Sequence, residues 1–282
     1  MVRPYGGQGQ DASQTARLAR GGHFGLAGVM ARLVLFGPGY VGSHLSTALQ
    51  REGWHVDAIT RSTPFDTAQT ALVQASHVVS TAPPDEDADK VLAAHGDAIG
   101  RVPWIGYLSS TGVYGDTAGA WVDESATLGG RRDGRIAADL AWQTLGARVF
   151  RLPGIYGPGR AMFDRLRSGQ AHRIDAPGQV FCRVHVDDIV AGVIAAMRQG
   201  PAGVYNLADD LPAPQNDVVE YACGLMGLNL PPFRTLDELS PQARAFYREN
   251  RRVANGKAKR LLGWRPLYPT YREGLTATLS ET

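Results

Sequence analysis

Gly37-Pro-Gly39-Tyr40-Val41-Gly42 sets three glycines at a spacing that suits one chemistry, the seating of a pyrophosphate against backbone. Gly37 permits a tight turn, Gly39 lets the main chain approach an anion with no Cβ between them, and Gly42 lets the following helix pack closely. Tyr40 and Val41 open that helix, whose free N–H groups face the phosphates. Further on, the run WHVDAI ends at Ile59 and gives way to Thr60-Arg61-Ser62. A carboxylate here would accept hydrogen bonds from a ribose 2′-hydroxyl. None is present, and Arg61 with Ser62 offers charge-assisted bonds to a 2′-phosphate instead. NADP is therefore expected ahead of NAD. A third run, HVVSTAPP, brings Thr81, Ala82 and Pro83 to the same ligand as further expected contacts.

Other segments carry groups that could act on a bound molecule. LSSTGVYGD holds the hydroxyls of Ser110 and Tyr114, and LGGRRDGRIAADLAW, residues 128–142, holds Arg131, Arg132 and Arg135. A guanidinium keeps its proton throughout the accessible pH range, so Arg131 cannot be a general acid or base. Arg135 can still bind a ribose hydroxyl or an anionic substrate, and Arg160 and Arg183 offer further cations for a phosphate or carboxylate. Tyr156 and the loop acids Asp116, Asp123 and Glu124 are alternative proton donors. In His185-Val-Asp187-Asp188 no other ligands converge in sequence. The expectation there is a helix start, capped by Asp187 or Asp188 with His185 in the preceding strand, rather than a metal site. Cys182 and Cys223 have no metal-ligand spacing and read as inert buried thiols.

These groups need a frame that brings distant segments to one edge. From Ala31, short β-rich runs alternate with helical stretches, the pattern of a doubly wound parallel sheet. ARLVLFG, WHVDAI, HVVSTAPP, WIGYLSS, ARVFRLPG and GVYNLAD read as strands, apolar almost throughout because both faces are covered. YVGSHLSTALQREG, about Gly134 to Leu145, and VDDIVAGVIAAMRQG read as helices. The expected fold is a Rossmann-type α/β sheet with a small C-terminal α/β appendage. Residues 30–282 would form one nucleotide-binding domain, with substrate-side elements mainly from 155 onward. Residues 1–29, rich in Gly and nearly free of acid, read as a disordered or upstream-start extension ahead of Met30. The basic stretch RENRRVANGKAKRLLGWRP lacks interleaved aromatics and is expected to be a solvated helical face.

LSSTGVYGD, RLPGIYGPG, RVHVDDIVAGV and GVYNLADD, in that order behind the glycine loop and closed by LLGWRPLYPTYREGL, resemble the extended and atypical short-chain dehydrogenase/reductases, the NAD-dependent epimerase/dehydratase-like family. The resemblance covers Ala31 to Leu275. It implies a catalytic hydroxyl at Ser110, and a Tyr-x-x-x-Lys pair downstream in which a tyrosinate moves the proton. Matching IAAD to the family's small-residue helix puts Arg131 at the tyrosine's place and Arg135 at the lysine's. No tyrosine occurs between Trp121 and Phe150, so the usual acid/base is absent. The resemblance also makes a homodimer plausible, through helices of the nucleotide domain.

Composition narrows the rest. The 282 residues are 44% hydrophobic and 20% charged with a formal net charge of +2, which demands neither nucleic acid nor a membrane surface as partner. No apolar run is long enough to span a bilayer, and the expectation is a cytoplasmic protein. The favoured function is an NADP-dependent oxidoreductase acting on a small anionic carbonyl or sugar-derived substrate. A non-catalytic NADP-binding sensor is the main alternative, and a nucleotide-sugar epimerase or dehydratase the third.

Overall fold

The computed structural model describes residues 30–281 other than Asp87 and Ala161, so the expectation for residues 1–29 lies outside the described residues. The apolar run β1 (Arg32–Phe36) buries Leu33 and Leu35 against one layer of helices and Val34 and Phe36 against the other, as a two-residue period requires. α1 (Tyr40–Arg51) follows, turning Val41, Leu45 and Leu49 inward and ending on Arg51, whose charge suits the negative end of the helix. The chain continues through β2 (His55–Ile59), α2 (Phe65–Gln74) and β3 (His77–Ser80). α3 (Lys90–Ile99) is capped by Asp89, which accepts from the Val91 and Leu92 amides. β4 (Trp104–Ser110) runs into a 3-10 turn at Thr111–Tyr114, then β5 (Trp121–Val122) and α4 (Asp133–Thr144). β6 (Arg148–Leu152), β7 (Gly154–Tyr156), α5 (Phe163–Arg167), β8 (Arg173–Ile174) and β9 (Arg183–His185) lead to α6 (Val186–Gln199). β10 (Gly203–Asn206), α7 (Gln215–Met226), β11 (Phe233–Arg234), α8 (Pro241–Phe246), β12 (Arg252–Val253), α9 (Gly256–Leu262) and α10 (Tyr271–Ser280) complete it.

Six strands form one parallel sheet in the order β10-β6-β4-β3-β1-β2, as expected for a Rossmann-type fold. The strand order reverses between β1 and β3, and ligands of such sheets bind outside the carboxyl ends of the strands at that reversal. The appendage is a separate apolar cluster in which Tyr156, Phe163 and Leu166 meet Ala222, Tyr271 and Leu275. Among the described residues no helix is long and apolar enough to cross a membrane.

Two expectations need correction. His185 itself caps α6, its Nδ1 accepting from the Asp187 amide at 3.2 Å, while Asp187 and Asp188 lie in the first turn. Asp188 is buried and accepts from the Leu267 and Tyr268 amides, which tie the C-terminal segment down. The basic stretch from Arg248 is not a solvated helical face throughout. Arg252 and Val253 instead pair as β12 with Trp121 and Val122, and α9 then buries Ala258 and Leu262.

Candidate active site

At the reversal of strand order, three strand ends are stitched to one turn. The Gly37 amide donates to the Ile59 carbonyl at 3.0 Å, and the Thr81 hydroxyl donates to the Gly37 carbonyl. Gly37 has a φ of +72°, and a Cβ there would lie 3.0 Å from the Ala82 nitrogen, so the position requires glycine. At Gly42 a Cβ would meet the Gly37 carbonyl at 3.2 Å, consistent with close packing of the helix on the turn. Gly39 begins α1 with no side-chain cap, no acid stands in the first turn, and Gly39 and Tyr40 both line a cleft of about 1180 Å³. The first amides of α1 are thus left without a side-chain acceptor. Beyond β2, Thr60, Ser62 and Thr63 hydrogen-bond one another in a tight hydroxyl turn. Arg61 projects from it exposed, with no hydrogen bond or ion pair among the described residues.

Ser110 and Tyr114, four residues apart, have different fates. Ser110 is half-buried and lines the cleft, its Oγ accepting from the Gly112 amide at 3.1 Å. Tyr114 is 3% exposed and does not line the cleft. Its hydroxyl donates to Asn206 Oδ1 at 2.7 Å, Arg151 sits over its ring, and burial pushes its phenol up. Arg151 in turn pairs at 2.7 Å with Asp139, both of them buried, and Asp139 accepts from Ser109. Tyr114 is therefore a member of a buried polar network, and the geometry removes it from the candidate proton donors. Tyr156 is buried as well and is pushed up by the same cause. The loop acids are likewise committed to backbone amides, Asp116 to Asn250, Asp123 to Ser125 and Glu124 to Asn206.

Among the described residues seven arginines line the cleft: 131, 132, 135, 160, 165, 183 and 251. Arg135, in the first turn of α4, is half-buried with no side-chain partner among the described residues, and burial lowers its pKa. Arg160 lies over the Tyr40 ring, 5.4 Å from its centroid, which puts it beside the start of α1. Arg183 is only 8% exposed and is spent on the Phe181 and Ala213 carbonyls and Gln215.

Comparison with known proteins fits this geometry. No family model matches the chain. A solved structure from Silicibacter pomeroyi DSS, of a functionally unknown conserved protein, is 42% identical with a TM-score of 0.82, over 90% of this chain and 99% of that one. The chain belongs to one family with that protein. Its fold is that of the epimerase/dehydratase-like short-chain dehydrogenase/reductases. The human epimerase family protein SDR39U1, solved with NADPH, shares it at a TM-score of 0.75 and 17% identity, over 89% of this chain and 100% of that one. The dTDP-glucose 4,6-dehydratase of Bacillus anthracis str. Ames, solved with NAD, shares it at 0.71 and 17%, over 89% and 96%. A 3-diazoavenalumate denitrifying reductase from Streptomyces sp is 30% identical over 148 residues, 48% of each chain. Escherichia coli protein YeeZ is 30% identical over 141 residues, 48% of this chain and 50% of its own. The chain spans about half the length of these last two relatives.

Arg131 is held in an ion pair with an acid whose side chain is only 9% exposed. Arg131 Nε donates to Glu249 at 2.5 Å, and Arg251 donates to the other oxygen of Glu249 at 2.6 Å and to the Gly115 carbonyl at 2.7 Å. Arg131 thus holds the segment after α8 against the loop before α4. The Glu249 carboxyl is kept below its usual range by these cations, which outweigh the burial that opposes them. Glu249, Arg165, His172, Phe181 and Tyr247 all line the cleft and escaped the sequence reading. YREN, residues 247–250, offered a tyrosine and a carboxylate, but nothing local ties that stretch to Arg131, 118 residues upstream.

Proposed function

We propose that the chain is an NADP-dependent oxidoreductase of the atypical short-chain dehydrogenase/reductase type, acting on a small anionic carbonyl or sugar-derived substrate. The observation that carries this reading is the joining of an uncapped α1 and a glycine turn that excludes a Cβ to an exposed Arg61 in a hydroxyl turn. These residues suit a dinucleotide. The glycine turn and the Tyr40 and Val41 amides would hold its pyrophosphate, with Arg160 beside them, and Thr60, Arg61 and Ser62 its 2′-phosphate. Thr81, Ala82 and Pro83 would pass along its other side. A bound nicotinamide supplies or accepts hydride. NADPH in the human structure and the word reductase in the Streptomyces relative's name support that direction. The domain reading that goes with this treats 30–282 as one nucleotide-binding domain.

Ser110 is a cleft hydroxyl that can polarise a carbonyl oxygen, and Arg135 a cation that can orient a ribose hydroxyl or an anionic substrate. With Tyr114 and the loop acids committed elsewhere, the proton comes from water in the open cleft. That same commitment favours a second reading, an NADP-binding sensor without turnover. A nucleotide-sugar epimerase or dehydratase ranks third, because its chemistry needs the acid/base that Arg131 cannot supply. Calorimetric titration with NADPH and NADH, on the wild type and Arg61→Asp, tests the cofactor. NADPH should bind more tightly and the variant should lose that advantage, whereas no binding of either nucleotide overturns both leading readings. Oxidation of NADPH in a carbonyl panel, abolished or strongly slowed by Ser110→Ala, separates enzyme from sensor.

A further inference from the structure

The end of the cleft away from the glycine turn is walled by aromatic rings. Phe181 and Tyr247 meet edge to face with centroids 5.3 Å apart, and Phe246, on the segment that carries Tyr247, lines the same cleft while 64% exposed. Tyr247 is half-buried, and no hydrogen bond engages its hydroxyl among the described residues. The charges of Arg165 and Arg183 both act on that hydroxyl, drawing its pKa down while burial pushes it up, and burial prevails. Arg183 is already spent on carbonyls and Gln215, but the Arg165 side chain is exposed without a hydrogen bond or ion pair among the described residues. Glu249, the acid that lines the cleft, is bound by Arg131 and Arg251. A ligand rich in hydroxyls would find His172 Nδ1 and Gln242 as side-chain acceptors without a partner among the described residues, and each further unpaired hydroxyl would cost it affinity. A flat ring finds edge and face partners, and an anion finds a free guanidinium and a phenol donor.

We propose that this end of the cleft binds an aromatic carboxylate, its ring against Phe181 and Tyr247 and its carboxylate on Arg165 and the Tyr247 hydroxyl. This rests on the oxidoreductase reading and selects within it: the substrate is an aromatic acid, with the reducible group toward Ser110, rather than a sugar nucleotide.

The test is calorimetry on the full chain saturated with NADPH, using cinnamate, cinnamamide and UDP-glucose as probes, with NADPH binding itself measured on every variant. Cinnamate should bind, and cinnamamide, which keeps the ring and loses the charge, should bind at least tenfold more weakly. Arg165→Gln should cost cinnamate about tenfold, near 1.4 kcal/mol, and Tyr247→Leu a comparable factor, both with NADPH affinity unchanged. UDP-glucose binding without cinnamate binding overturns the proposal. So does cinnamate binding that is indifferent to the amide and to Arg165, and so does failure of every probe. In each of these cases intact NADPH binding leaves the cofactor reading standing, whereas loss of NADPH binding in the wild type removes that reading itself.

Discussion

The two ends of the cleft are built from different materials. The end at the glycine turn is backbone: the turn itself, the uncapped start of α1 and three strand ends stitched by main-chain bonds. The far end is side chains, with Arg131, Arg165, Phe181, Tyr247 and Arg251 arriving from four separate parts of the chain. A backbone cradle depends on where glycine stands and tolerates little change, because no rotamer can relieve a clash with main chain. A side-chain wall can be rebuilt residue by residue while the sheet beneath it stays. One frame can thus keep what its backbone cradles and exchange what its side chains meet.

If that contrast is right, the largest effect belongs to Gly37→Val. A side chain at a φ of +72° costs roughly 1–2 kcal/mol, and forcing it against Ala82 adds about 1–3 kcal/mol. Thermal unfolding should show the loss of stability, and NADPH binding should fall by more than any far-end variant achieves. Retention of nucleotide affinity would break the claim that backbone makes the cradle. Second is Arg61→Ala, which removes a charge-assisted contact worth about 1.5–3 kcal/mol. NADPH should weaken roughly ten- to a hundredfold with NADH unchanged, and an equal loss for both would place Arg61 outside the 2′-phosphate site.

The same contrast explains how much could be read in advance. The glycine turn, β1 and α1 were legible because apolar run, glycines and helix are contiguous, and α4 lay within a residue of its expected bounds. The cap at His185 was not, since imidazole is no ordinary cap and Asp187 and Asp188 were better-known choices. β12 was missed because two residues have no periodicity of their own and their partner β5 lies about 130 residues away. Arg131 and Glu249 are 118 residues apart, so no local pattern marks them as a pair. Tyr114 showed the reverse problem: its type and spacing suggested chemistry, and only the fold showed its hydroxyl given to Asn206.

A smaller effect falls on a buried acid bonded to the Arg183 main chain. Asp209 is 4% exposed, neither carboxylate oxygen finds a hydrogen-bond partner among the described residues, and its amide donates to the Arg183 carbonyl at 2.7 Å. Burial pushes its pKa up to about 8, against the charge of Arg183. An unfolded aspartate titrates near 3.9, so between about pH 4 and pH 8 the folded chain holds a proton that the unfolded chain has released. Stability from this group is full below that window and declines as pH rises through it. Asp209→Asn cannot ionise, and should flatten that slope and raise the melting temperature by a few degrees near pH 8. A slope unchanged by the substitution would show that Asp209 is solvated in the folded chain.

The smallest expected effect falls on the pairing of Arg131 with Glu249. Glu249→Gln removes the charge that holds Arg131 and Arg251, and with Arg131 42% exposed the pair is worth about 1 kcal/mol or less to global stability. The local consequence is sharper, because these two bonds join the segment after α8 to the loops before α4 and after β4. Hydrogen exchange should therefore quicken in residues 241–251 while β1 and α1 keep their protection and NADPH affinity holds. Equal loosening at both ends would mean that the far end is coupled to the sheet rather than hung upon it. Confined loosening would make Arg131 a positioning residue for Tyr247, reached through Glu249, and would give a role to an arginine that moves no proton.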